Sequence, residues 1–350
     1  VEKCRVRING VDQGMFIESS GPGRPVLLFL HGGPGMPEYW LSHRYPTGLA
    51  RSFTVAWWEQ RGAGLSYRRG IPPRSMTAEQ FVADALAVTD HLRRRFQVER
   101  IYLMGHSWGS YVGIQAVASD PSRFHAYIGV AQITHQIESE RLAHARMLEG
   151  FRERGNGAMV RRLERVPVPL TVPLPPAYDR LRDRGMHALG GGTTRDMRSV
   201  VTGLFLPSWT FPGYTIDEKV RLWRGKVFSR RSGLWDRMLE TDLAAIIPRL
   251  EVPAYFLHGI HDLTVAYDLA RSYAQRLEAP VVGFYTFADS AHSPVFEEPA
   301  RTVQILTHDV LPGRKVLADG TGHAGSGPST LEVSSDPSLG QSHPGAARTP

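Results

Sequence analysis

The chain is 350 residues long, 42% hydrophobic and 21% charged, the composition of a soluble globular protein with room for one large domain or two small ones. A formal net charge of +7 raises the question of nucleic acid, but 19 Lys plus Arg against 11 Asp plus Glu lie between residues 135 and 238, leaving 22 against 23 elsewhere. The positive charge belongs to that segment, and without an aromatic-and-basic strand motif or a helix-turn-helix we expect no nucleic-acid partner and read the arginines as a solvated face, a surface field of that segment or a reflection of base composition.

No apolar run of signal-peptide length follows the charged residues 1–7, and nowhere do about eighteen apolar residues run consecutively, so a cytoplasmic protein without membrane contact is expected. Cys4, the single cysteine, has no internal partner and reads as a small strand residue. Val26–Leu30 is wholly apolar after a Gly-Pro-Gly turn, the pattern of a strand buried on both faces, and residues 54–58 repeat it. Apolar residues at helical spacing (Phe81, Ala85, Val88, Leu92) predict a helix over 77–96, with Thr77 as N-cap and Gln80 in capping-box position. A strand over 100–104, a small-residue helix over 109–119 ended by Asp120-Pro121, and a strand over 126–130 follow. Strands alternating with helices indicate a parallel sheet covered on both faces, an α/β class.

The pattern breaks near residue 134. From 134 to 238 the chain is Arg-rich, cut by Pro167, Pro169, Pro173, Pro175 and Pro176 and by Gly190, Gly191 and Gly192, with amphipathic helical stretches between, and is read as an inserted helical cap. Buried-strand patterns return at 252–257 and 281–287, separated by a helix over 267–277, and a last helix spans 299–310. The expected organisation is a core of 1–133 and 239–312, a cap of 134–238, and a disordered tail of 313–350, which has too few large apolar residues to offset its ordering entropy.

Gly105-His106-Ser107-Trp108-Gly109 stands between an apolar strand and a helix. A serine on such a tight turn is held in a strained backbone, its hydroxyl stands out at the top of the sheet, and the helix start favours developing negative charge, so Ser107 is the candidate nucleophile. His31-Gly32-Gly33-Pro34-Gly35, at the end of an earlier strand, supplies the oxyanion loop. The candidate donors are the backbone N–H groups of Gly33 and Trp108, since Pro34 has none. A serine nucleophile needs a base and an orienting carboxylate, following in the order acid then His. Asp262 lies in the loop after the strand at 252–257 and His292 in the loop after the strand at 281–287, both at carboxyl ends of strands where open α/β sheets gather their sites. His261 and Asp268 are the nearest competitors in the first loop, although Asp268 falls in the following helix; Asp289 is too near His292 in sequence to be the first choice.

Taken together and in order, HGGPG at 31–35, WEQRGAGLS at 58–66, GHSWG at 105–109, HGIHD at 258–262 and SAHSPVFEEP at 290–299 resemble the proline iminopeptidase branch of the α/β-hydrolases, over 26–130 and 252–310. The resemblance implies an α/β-hydrolase fold: a mostly parallel eight-stranded sheet with helices on both faces and a helical cap between strands six and seven. It implies release of an N-terminal residue, commonly proline, from peptides. It sets Ser107, Asp262 and His292 on the triad positions and Gly33 and Trp108 on the oxyanion positions. Glu59 stands where the family usually has aspartate, and that motif is read as scaffold bracing the active-site loops. In the family, cap glutamates hold the substrate's ammonium group, one of them in a Trp-x-x-Trp-Glu helix; the nearest string here, residues 220–225, carries Arg224 in place of the acid. An arginine-rich cap repels an ammonium and favours a carboxylate, with Glu149, Glu153, Glu218 and Glu240 as local acids that could reverse this.

The expected activity is covalent serine hydrolysis without metal or organic cofactor, on a short peptide or small molecule, with the oligomeric state open. A proline-iminopeptidase-like peptidase or amidase leads, a carboxylesterase or lactonase on a small anionic metabolite follows, and a non-catalytic ligand-binding protein on the same fold is the alternative from another class. Trp40, Trp58, Trp209, Phe211 and Trp223 are candidates for the site lining and equally for the core.

Overall fold

The computed structural model describes residues 1–320; residues 321–350, most of the segment read as a disordered tail, lie outside the described residues. Eight strands form one sheet in the order β1-β2-β4-β3-β5-β6-β7-β8: Glu2–Ile8 (β1), Val11–Glu18 (β2), Val26–Leu30 (β3), Thr54–Glu59 (β4), Ile101–His106 (β5), Phe124–Val130 (β6), Ala254–Gly259 (β7) and Val282–Phe287 (β8). β1 and β2 pair antiparallel with each other, β2 pairs antiparallel with β4, and all other neighbours run parallel. The β1–β2 hairpin is missing from the elements read from sequence. Its signal is Asn9-Gly10, both at positive φ as a two-residue hairpin turn demands.

The central strands are buried along their whole length, which is why they read as apolar runs rather than as alternation. Leu28, Leu30 and Leu103 pack on one face against Ala78–Phe96 (α2) and Trp108–Ser119 (α3), whereas Leu27, Phe29 and Met104 pack on the other with Trp40 and Leu41 of the short helix Tyr39–Arg44 (α1). Thr77 caps α2 by accepting the Gln80 N–H. The reciprocal half of the capping box is not formed: the Gln80 side chain is drawn instead to Asp84, to which its amide N–H donates at 2.8 Å.

Between β6 and β7 the chain is helical, with Gln136–Glu153 (α4), Gly157–Glu164 (α5), Pro176–Leu189 (α6), Leu206–Thr210 (α7), Ile216–Arg230 (α8) and Leu234–Glu240 (α9). This insertion has its own apolar cluster, including Met147, Phe151, Leu163 and Tyr178. The C-terminal part of the core adds Leu243–Ile246 (α10), Tyr267–Arg276 (α11), Pro294–Glu297 (α12) and Pro299–Ile305 (α13). No described helix is long and apolar enough to cross a membrane.

Residues 314–319, placed by sequence in the disordered tail, are instead held on the core. The Asp309 carboxylate accepts the N–H groups of Val316 at 2.9 Å and Leu317 at 2.8 Å, and Asp319 both donates its N–H to the Phe284 carbonyl at 2.8 Å and accepts the Thr286 N–H at 3.1 Å. One buried carboxylate with two backbone donors supplies the order that apolar content does not.

The WEQRG segment is scaffold throughout. Glu59 accepts the Leu65 N–H at 2.5 Å and the Tyr214 hydroxyl of the insertion, and the Arg61 guanidinium forks onto Asp84 of α2 at 2.7 and 2.9 Å. Asp84 also accepts side-chain amides of Asn9, Gln13 and Gln80, so this fully buried carboxylate ties the β1–β2 turn, β2, α2 and the loop after β4 together. Removing one partner of a buried pair strands the other charge. Asp84→Ala is expected to destabilise the fold by about 3–5 kcal/mol, read as a lowered urea midpoint. Asp12→Ala, which deletes an exposed partner of Arg7, should leave that midpoint nearly unchanged.

Candidate active site

Ser107 sits between β5 and α3 at φ 55° and ψ −119°, a conformation that side-chain-bearing residues rarely adopt. The backbone around it is fully bonded: its N–H donates to the Val130 carbonyl at 3.0 Å, and its carbonyl accepts the Ser110 N–H at 2.8 Å and the Ser110 hydroxyl at 2.6 Å. Glycine is needed on both sides. A Cβ on Gly105 would collide with the Gly109 carbonyl, and one on Gly109 with the Leu30 carbonyl. The next residue, Trp108, opens α3, so its N–H has no carbonyl to meet in the helix ladder. Its indole is buried against Phe81 and Tyr111 and donates to Gln60 at 2.9 Å.

The loop after β3 lies directly against the serine: a Cβ on Gly32 would come within 3.2 Å of the Ser107 Cβ. Gly33 has φ 125°, where only glycine is at ease, and a Cβ there would meet the Gly35 nitrogen at 2.6 Å. His31 fixes the loop through both ring nitrogens, Nδ1–H donating to the Gly32 carbonyl at 2.8 Å and Nε2 accepting the Gln60 N–H at 3.0 Å. Burial, assisted by the charges of Lys226 and His106, brings the His31 imidazole down to about 4 and keeps it neutral, as its accepting Nε2 requires.

Asp262 and His292 meet as the sequence reading expects, with the imidazole Nδ1–H donating to the Asp262 carboxylate at 2.8 Å. Asp262 is wholly buried; its other oxygen accepts the N–H groups of Thr264 at 2.7 Å and Val265 at 3.0 Å. Burial alone would raise its pKa, but the charge of His292 and hydrogen bonds from His258 and His292 outweigh it and hold the carboxyl well below the usual carboxylate range. The competitors are occupied elsewhere, His261 with the Ala288 carbonyl and Asp268 with Arg146 at the surface. Burial depresses the His292 pKa, and repulsion from His106 and His258 adds to this while Asp262 opposes it, so Nε2 is a free base at neutral pH.

Ser107, His292 and Gly33 line one cavity, with Asp262 behind His292. His106 links the two loops, its Nε2–H donating to the His292 carbonyl at 2.8 Å and its Nδ1–H to Glu38 at 2.8 Å. Burial pulls the His106 pKa down, but the Glu38 charge and these hydrogen bonds raise it overall, giving a compensated His106–Glu38 pair beneath the cavity. Among the aromatic candidates Trp223 lines the cavity, Trp40, Trp58 and Phe211 are core, and Trp209 is partly exposed.

Several supporting residues carried no role in the sequence reading. Glu297, inside the SAHSPVFEEP string, accepts the N–H groups of Ala291 and Ser293 at 3.0 Å each, bracketing His292, and that of Arg195 at 2.7 Å from the insertion. Burial pushes its carboxyl up to about 7 against these donors. The triple glycine is more than an interruption: the Gly192 carbonyl accepts the His292 N–H at 3.3 Å and the Gly191 carbonyl accepts that of Leu263 at 3.0 Å. Backbone-on-backbone docking of this kind leaves no room for a Cβ at Gly191, which would meet Leu263 and the His261 carbonyl. None of Glu149, Glu153, Glu218 and Glu240 lines the cavity; Glu38 and Asp183 do. Of the insertion's arginines, Arg182 lines it, and its guanidinium is committed to Glu140 at 2.7 and 2.6 Å. The arginine excess therefore does not set the charge inside the site.

A family model described as the alpha/beta hydrolase fold matches residues 25–299. The probable aminopeptidase YbaC of Bacillus subtilis (strain 168) is 32% identical over 309 residues, spanning 87% of this chain and 92% of that protein. Epoxide hydrolase 2 of Siraitia grosvenorii is 28% identical over 153 residues, 43% of this chain and 44% of its own. Among solved structures, the proline iminopeptidase of Mycobacterium smegmatis superposes with a TM-score of 0.60 at 17% identity, over 87% of this chain and 96% of that one, a likeness of fold.

The electrostatics of the Asp262–His292 pair can be read directly by NMR titration of labelled imidazoles. His292 should titrate below the ordinary 6.5, and because the Asp262 charge acts to raise that value, Asp262→Asn should move the midpoint lower still. A midpoint that rises in the variant would contradict the assigned balance.

Proposed function

This chain belongs to the α/β-hydrolase fold family, and from the contents of its cavity we propose that it is a serine hydrolase acting through an acyl-enzyme, with Ser107 as nucleophile, His292 as base and Asp262 as orienting carboxylate. The observation that carries the reading is the Asp262–His292 hydrogen bond of 2.8 Å, set in the same cavity as a serine whose backbone is held at φ 55°. His292 Nε2 takes the hydroxyl proton as the Ser107 oxygen attacks a carbonyl carbon. The oxyanion is received by the N–H groups of Gly33 and Trp108, the imidazolium returns its proton to the leaving group, and water repeats the sequence to free the acid. Reaction through a carboxylate nucleophile is not open to a serine at position 107.

The peptidase or amidase form of this reading, similar to proline iminopeptidase, is supported by the relationship to the probable aminopeptidase YbaC over most of both chains. The helical insertion then serves as a cap over the cavity, with Asp183 in the lining as an acid for a substrate ammonium. An esterase or lactonase acting on a small anionic molecule is the second reading, favoured by the amino group of Lys226 in the same lining.

A fluorophosphonate probe should label the folded protein, and Ser107→Ala should abolish the label. Failure to label would favour a non-catalytic ligand-binding protein. Comparing a proline naphthylamide with short p-nitrophenyl esters divides the two hydrolase readings, and strong preference for the esters rejects the peptidase. For whichever substrate turns over, kcat/KM should climb with pH through a midpoint below 6.5, as His292 loses its proton, and then level off.

A further inference from the structure

Lys226 lies on α8, where the helix presses on the loops beneath it. A Cβ on Gly225 would meet the Gly62 carbonyl at 2.6 Å, and one on Gly35 would strike Ser229, so the helix position over the oxyanion loop is set by direct contact. The Lys226 ammonium donates to the Pro34 carbonyl at 3.2 Å, one residue beyond Gly33. It lines the cavity of Ser107 and also the adjoining chamber bounded by Pro34, Asp179 and Trp235.

The other cations of these two chambers have dedicated anions. Arg182 is forked onto Glu140 and bonded to Asp183 at 2.9 Å, Arg230 is paired with Asp179 at 2.9 Å, and His106 is paired with Glu38. Among the described residues Lys226 has no carboxylate at ion-pair distance. Asp183 acts on it only through space. Burial, with the charges of Arg230 and Arg182, brings its ammonium down to about 8 against the pull of Asp183, so it stays cationic at neutral pH. An ammonium taken partly out of water with one neutral acceptor is under-compensated, and an anion delivered to the cavity completes it.

We propose that Lys226 is a specificity-determining residue that binds a carboxylate carried by the substrate, placed beside the Gly33 loop so that the charged group is anchored while the scissile carbonyl meets Ser107. This rests on the hydrolase reading above and narrows its substrate class to carboxylate-bearing esters and amides. The carboxylate has two possible sources, the free C-terminus of a short peptide and the distal acid of a dicarboxylic half-ester.

The test uses the full chain with matched pairs: p-nitrophenyl hemisuccinate against p-nitrophenyl butyrate, and a free dipeptide against its C-terminal amide. Wild type should favour the charged member of at least one pair, which identifies the source. Lys226→Met should reduce that charged-over-neutral ratio of kcat/KM by about 10- to 100-fold, mainly through KM, and Lys226→Arg should restore part of it. A wild type indifferent to charge, or a Lys226→Met variant that slows both members alike, overturns the proposal and leaves Lys226 as a clamp on the Pro34 loop. Should nothing turn over, fluorophosphonate labelling judges the hydrolase reading separately. Calorimetric titration with glutarate then decides: heat lost in Lys226→Met sustains the carboxylate site, and equal heats in both proteins reject it.

Discussion

Gly109 rests against the carbonyls of Leu30 and His31, so the turn that carries Ser107 and the loop that carries Gly33 meet backbone to backbone. That contact governs the rest of the site. Because β3 and β5 are neighbours in register, with Leu30 opposite Gly105, the two loops leave the sheet at the same height, and only residues without a Cβ let them close. The strain at Ser107 persists because the elements on either side are buried and bonded. β7 and β8 end at a matching level, with Gly259 opposite Phe287, which brings the Asp262 and His292 loops to one another.

Charge in the interior is handled in closed groups. Asp84 with Arg61, Glu140 with Arg182, Glu38 with His106, and Asp262 with His292 are each withdrawn from water and compensated within hydrogen-bond reach. The arginine-rich character of the insertion is thus a property of its outer face, and the potential felt by a bound molecule comes from the few groups that turn inward. A reading based on net charge expects the whole segment to act as one field; instead Arg182, which lines the cavity, is cancelled by Glu140, and the other arginines of the segment do not line it.

The sequence made the site legible where chemistry demands a residue type at a fixed point on a strand end. The glycine–serine elbow, the loop after β3, and the acid and histidine after β7 and β8 each follow a buried apolar run, and runs of that kind are hard to mistake. What stayed hidden acts through contacts with no local signature. Glu297 and Glu38 hold their loops by accepting backbone N–H groups, which any carboxylate at a suitable place can do, and Gln80 serves Asp84 rather than its own helix start. None of the four acids nominated in the insertion lines the cavity, and Glu218 is spent on its own helix start and on Lys3 and Arg5. The β1–β2 hairpin escaped because β1 is largely exposed and charged, although Asn9-Gly10 announces its turn.

β8 is the last strand of the sheet, and its outer side would otherwise present unpaired peptide groups to solvent. The chain returns along that side after α13, and Asp319 engages the Phe284 carbonyl and the Thr286 N–H, so two of the groups that would seed pairing with another molecule are already taken. The few residues that continue past the last helix therefore act as a selvedge, finishing the sheet where its weave would otherwise fray into intermolecular strands, and shortening the protein at residue 313 would trade a tidy boundary for a sticky one.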